Sequence, residues 1–194
     1  MKSFPKSFRT PSFLALAVAA ALAGCAATQD AGHSAMNMVK SATGQAQVVR
    51  QDVAPALYEV AYSPSEDVVY AVSAGNPKDP ASGVKSKLFK LDPETLAVKA
   101  EIELPKPGYG LTLDDEAHRL YIVDTRGGTL MVFDTTVGQV TSSVTMPPVL
   151  DAQGKPEKIE YREIVVDKAN NRLYLPAMSY HDSKLQVVNL ETLT

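Results

Sequence analysis

The chain has 194 residues, 45% of them hydrophobic, enough for one ordinary domain beyond any leader. A net charge of −3 and a pI near 5.6 give no ground for nucleic-acid binding, and a single Cys excludes an intramolecular disulfide. Thirteen Pro and eleven Gly, among many Val and Thr, favour short strands and turns over long helices.

The first residues read as an address. Lys2, Lys6 and Arg9 are a positive n-region, and residues 13–22 are an apolar run. That run is shorter than the about 20 apolar residues a bilayer-spanning helix needs, and small residues follow it, as in a secretory signal. They end in Leu22-Ala23-Gly24-Cys25, which resembles a bacterial lipobox. The resemblance implies a signal peptide over residues 1–24 and a lipidated Cys25. Several acyl chains, at about 0.8 kcal/mol per buried CH₂, make a stable anchor where one is marginal. Ala26, rather than an Asp, follows the Cys. The expectation is a membrane partner through the lipid, at the periplasmic face of the outer membrane. Residues 25–50 are rich in Ala, Ser, Gly and Gln and read as a flexible tether.

From there the chain repeats itself. Strand-like runs begin at Tyr58, Tyr109 and Arg162, and twelve residues after each lies Tyr70, Tyr121 or Tyr174 within a second run. The loops between them (residues 63–67, 114–118 and 167–171) are polar, and each opens on a Ser or Asp able to bond its own backbone two residues on. A third run ends in Asp92, Asp134 or Asn189, with a Leu four residues before it in each copy. A fourth begins at Val98 and Val140, six residues past the Asp. Each unit is therefore predicted to be a four-stranded antiparallel meander. That is the signature of an all-β β-propeller, with two full blades (about 56–104 and 108–146) and most of a third (161–194) in a domain over residues 51–194.

The Leu-Tyr-x-Val and Leu-x-Val-Phe-Asp patterns resemble the YVTN-type repeat of bacterial seven-bladed propellers, and most of all the YncE-like periplasmic proteins. The matching segments are residues 57–63, residues 88–96, and residues 162–167 with Asn-Arg-Leu-Tyr174. The resemblance implies binding or scaffolding, without an assigned reaction, toward a periplasmic protein or a small-molecule ligand. Related propellers include lactonases and quinone-dependent dehydrogenases, so an enzyme is the alternative. Seven units of about 40 residues do not fit within 194. The expectation is an N-terminal fragment of a larger propeller or, as a further alternative, a gene fragment without function. A stand-alone chain would be expected to self-associate, because an open fan exposes blade faces and edges.

Two insertions interrupt the repeat: residues 75–86 lengthen the middle hairpin of the first unit, and residues 147–161 join the second unit to the third. Joins between a fourth strand and the next first strand reach the mouth of a propeller channel. They gather Tyr58, Glu59, Tyr109, Tyr161, Arg162 and Glu163 as candidate ligand-binding residues. Arg offers a bidentate fork to an anionic or polar ligand; the plainer role is an Arg–Glu tie between blades, with Tyr filling the space. His33, His118 and His181 lack ligand spacing to one another. No metal or cofactor site is expected, and no nucleophile–base pair can be named.

Overall fold

A computed structural model describes residues 48–180 and 183–194. The leader, Cys25, His33 and all but the last residues of the tether lie outside the described residues, as does His181. The described part contains three four-stranded antiparallel sheets. The first is β1 (Leu57–Ser63), β2 (Val68–Ser73), β3 (Lys87–Leu91) and β4 (Val98–Glu103), in that order. The second is β5 (Gly110–Asp114), β6 (Arg119–Val123), β7 (Thr129–Asp134) and β8 (Gln139–Thr145). In the third, β9 (Glu160–Tyr161) and β10 (Val165–Asp167) both pair with β11 (Arg172–Met178), which pairs with β12 (Lys184–Asn189).

Strand alternation explains how the sheets stack, because successive side chains point to opposite faces. In β6, Leu120 and Ile122 meet Tyr70, Val72 and Leu88 of the first sheet. Tyr121 and Val123, one step out of phase, meet Leu173, Leu175 and Val188 of the third. The middle sheet is thus apolar on both faces. Its β6 and β7 are near-continuous hydrophobic runs for that reason, whereas β8, an outer strand, is Thr- and Ser-rich and mostly exposed. First strands lie side by side, β1 against β5 and β5 against β10. This is the blade arrangement the repeat predicts.

The turns repeat as faithfully as the strands. Asp67, His118 and Asn171 close the first hairpin of each sheet with left-handed backbone. The opening side chains bond the backbone three residues on rather than two: Ser63 accepts from the Glu66 N–H, Asp114 from Ala117 and Asp167 from Asn170. His118 is thereby explained as a turn residue. At the end of the third strand Asp92 accepts the N–H groups of Glu94 and Thr95, Asp134 those of Thr136 and Val137, and Asn189 those of Glu191 and Thr192.

Two of those caps titrate and one does not. The Thr95 N–H holds the Asp92 carboxyl well below its usual range, and the Val137 N–H lowers Asp134. A carboxyl with a depressed folded-state pKa stabilises fully above its unfolded value and loses that contribution as pH falls through the folded one. The chain is therefore expected to lose stability progressively as pH drops below the ordinary aspartate value of 3.8. In Asp134→Asn the turn bonds survive, as Asn189 shows in the third sheet. Urea midpoints measured from pH 5 to pH 2 should fall less steeply in that variant; an unchanged slope would mean that the cap is not a source of the acid sensitivity.

Between the first two sheets a polar network sits at the rim of the core. The Tyr70 hydroxyl donates to Glu66 at 2.8 Å, and Lys90 reaches the other Glu66 oxygen at 2.8 Å with its ammonium 5.3 Å from the Tyr70 ring centroid. Burial pushes the Tyr70 hydroxyl up to about 12, so it stays a donor. Asp115 ties the same sheets through the Ser63 and Ser65 hydroxyls, and Lys168 of the third sheet holds Asp114 and Glu116 of the second.

Candidate functional site

In an up-and-down meander, the starts of first strands and the loops between second and third strands emerge at one end. A cavity of about 500 Å³ lies at that end. The first sheet contributes Tyr58 and Glu59 from β1 and Asn76 and Lys78 from the loop after β2. The second contributes Tyr109, just before β5, with Thr125 and Arg126 after β6. The third contributes Glu160, Arg162 and Glu163.

Two β-bulges aim these side chains. In β1, Leu57 pairs with Ser73 but Glu59 with Val72, which leaves Tyr58 as the extra residue. In the third sheet Tyr161 pairs with Ala177 and Val165 with Tyr174. Four steps along the inner strand thus oppose three along β11. A bulge bends its strand and re-aims the residues it carries. The sequence predicts an unbroken strand from Arg162 to Val166; instead residues 162–164 leave the ladder. The break lies opposite Pro176, which has no N–H to donate. The displaced backbone is seated on Gly110, where a Cβ would overlap the Arg162 carbonyl oxygen. Arg162 and Glu163 are consequently exposed at the cavity rather than fixed in a sheet.

Five of the six residues expected to gather do so: Tyr58, Glu59, Tyr109, Arg162 and Glu163 line the cavity. Tyr161 does not. It is 3% exposed, packs in the core between the second and third sheets, and donates its hydroxyl to Gln186 at 3.1 Å. It takes the space-filling role. Arg162 pairs with Glu160, two residues earlier, at 2.8 Å rather than with Glu163. The tie between sheets is longer, from Arg126 to the same Glu160 at 4.0 Å. The joins into first strands do not reveal Thr125, Arg126, Asn76 and Lys78. These residues lie in the loops after second strands, which open at the same end, and counting those loops finds them.

Tyr58 and Tyr109 meet edge to face with ring centroids 4.6 Å apart, joining the first and second sheets at the cavity. Glu59 is half-buried, and one of its oxygens accepts the Leu111 N–H at 2.7 Å. Burial raises its carboxyl above the usual range against that bond, and the Glu163 charge adds to the rise. Burial also raises Tyr109, with Tyr58, Arg126, Asp124 and Glu160 in electrostatic range. Thr125 is 5% exposed, and its hydroxyl has no hydrogen-bond partner among the described residues. Buried hydroxyls nearly always have one.

Repeated four-stranded blades stacked face to face, with first strands inward and a polar cavity at one end, define a β-propeller protein. The chain is similar to the uncharacterized protein YncE of Escherichia coli O157:H7, 27% identical over 150 residues that cover 76% of this chain and 40% of that protein. It is also 28% identical over 132 residues to the uncharacterized YncE of Escherichia coli strain K12, covering 66% of this chain and 35% of that protein. The chain thus spans about two fifths of the length of these curated relatives. No family model matches it. Among solved structures it is similar to Kuenenia stuttgartiensis hydrazine synthase (TM-score 0.52, 12% identity, 77% of this chain and 37% of that one). It is similar to U3-55K as well (TM-score 0.53, 10% identity, 76% and 40%). At such identities these two bear on the fold alone.

Proposed function

We propose that the chain is the blade-bearing part of a periplasmic binding module, anchored by lipid at Cys25, that takes a small polar ligand at the cavity shared by its three sheets. One observation carries the binding role. Charged side chains from all three sheets, Glu59, Lys78, Arg126, Arg162 and Glu163 among them, line one cavity. Two of its carboxylates, Glu59 and Glu163, have no ion-pair partner among the described residues. The support for the anchor is the sequence: Leu-Ala-Gly-Cys25 after an apolar run and a positive start.

A thermal-shift screen of small polar molecules tests the site. A ligand at a hundred times its Kd adds about 2.7 kcal/mol, enough to raise Tm by several degrees. Hits are expected to stabilise the natural chain and to lose their effect in Asn76→Trp, which places an indole at the cavity rim. Hits indifferent to that change would put binding elsewhere and refute the site. For the anchor, Cys25→Ser is expected to move the protein from the membrane to the soluble fraction after cell breakage; retention in the membrane fraction would refute it.

A further inference from the structure

We infer that the ligand of this cavity is a small zwitterion of the amino-acid or short-peptide class. Its ammonium lies between Glu59 and Glu163 and its carboxylate against Arg126 and Arg162. The inference rests on the binding reading above and gives it a chemistry.

The cavity lining holds a charge cluster of each sign. One is Glu59 with Glu163. Neither carboxylate forms an ion pair among the described residues, and each lies in the field of the other. Two like charges facing one cavity destabilise each other unless a cation lies between them. In the other, the Arg162 and Arg126 guanidinium groups share the Glu160 carboxylate, at 2.8 and 4.0 Å. With Lys78 on the rim, the three positive groups outnumber Glu160 and the buried Asp124. A ligand of one sign would satisfy one cluster and be repelled by the other, whereas a zwitterion of matching polarity satisfies both.

A further feature bears on the ligand's orientation. The crossed rings of Tyr58 and Tyr109 line the same cavity with Arg162 in electrostatic range of the first and Arg126 of the second. They therefore flank the carboxylate end of the ligand, and its ammonium is left to the two carboxylates.

Isothermal titration of the full chain with L-alanyl-L-alanine, its N-acetyl form and its C-terminal amide reads both ends separately, and L-alanine separates a free amino acid from a peptide terminus. One site is expected for alanine or the dipeptide. Each blocked form should bind at least about 10-fold more weakly, because a charge-assisted hydrogen bond is lost at that end. Glu163→Gln should weaken the unblocked ligand by a similar factor without lowering Tm, since Glu163 is exposed and its removal relieves the repulsion of Glu59. Equal binding of the N-acetyl form, or an unaffected Glu163→Gln, would overturn the inference. If neither zwitterion binds but another molecule stabilises the natural chain and not Asn76→Trp, the zwitterion is wrong and the cavity remains a binding site. If nothing binds, both fall.

Discussion

Replacing Gly110 with alanine is expected to destabilise the chain by about 3 kcal/mol or more, the range of severe overpacking. The residue opens β5 and is buried between the second and third sheets. An added methyl would overlap the Arg162 carbonyl oxygen and would also come within 2.8 Å of a Val123 methyl and 2.9 Å of the Arg162 carbonyl carbon. Backbone cannot swing aside as a side chain can, so the inner strand of the third sheet would have to move. The contact at issue is the one that turns Arg162 and Glu163 toward the cavity. Loss of stability should therefore come with loss of any ligand effect. Gly83→Ala is the comparison: a methyl added there would meet nothing within 4 Å, and the cost is only the strain of a left-handed φ of 72°, about 1 kcal/mol. Equal urea midpoints for the two variants would mean that the inner strand of the third sheet does not rest on Gly110.

Leu130 and Leu185 hold the same place in their repeats, as does Leu88, each four residues before the capping Asx. Leu88 and Leu130 are 0% exposed because the next sheet covers them, whereas Leu185 is 63% exposed. Leu130→Ala should therefore cost about 2–5 kcal/mol through lost burial and the cavity left behind. Leu185→Ala in the same chain should stay within about 0.5 kcal/mol. The exposed face extends from Leu185 to Val187, and Val165 is also exposed. It is the counterpart of the faces that join the first two blades to their successors. A large effect at Leu185 would show that something covers that face in solution.

The blades were legible because their signal is local and repeated. Tyr70, Tyr121 and Tyr174 stand at fixed offsets from their first strands, and each hairpin register follows from that spacing. The caps that open the first hairpins were legible in part: Ser63, Asp114 and Asp167 do bond their own backbone, but three residues on rather than two. The bulges were not. An extra residue at Tyr58 or among residues 162–164 leaves the alternation nearly intact, and only the pairing with β2 and β11 reveals it. The bulge in the third sheet frees Arg162 and Glu163 from the ladder. Sequence spacing could bring the candidate residues to one end of the blades but could not tell which would face the cavity. Tyr161 adjoins Glu160 and Arg162 in the chain, yet it is in the core while they line the site. Thr125 carried no signal, because an unpaired hydroxyl is a property of its surroundings.

The central claim is that three blades build one binding site. Intermolecular nuclear Overhauser effects from bound alanyl-alanine to the protein test it most directly. The account predicts contacts from one ligand to the Tyr58 ring, the Tyr109 ring and the Arg162 side chain, one from each sheet. Contacts confined to a single sheet, or to residues outside the cavity, would contradict it.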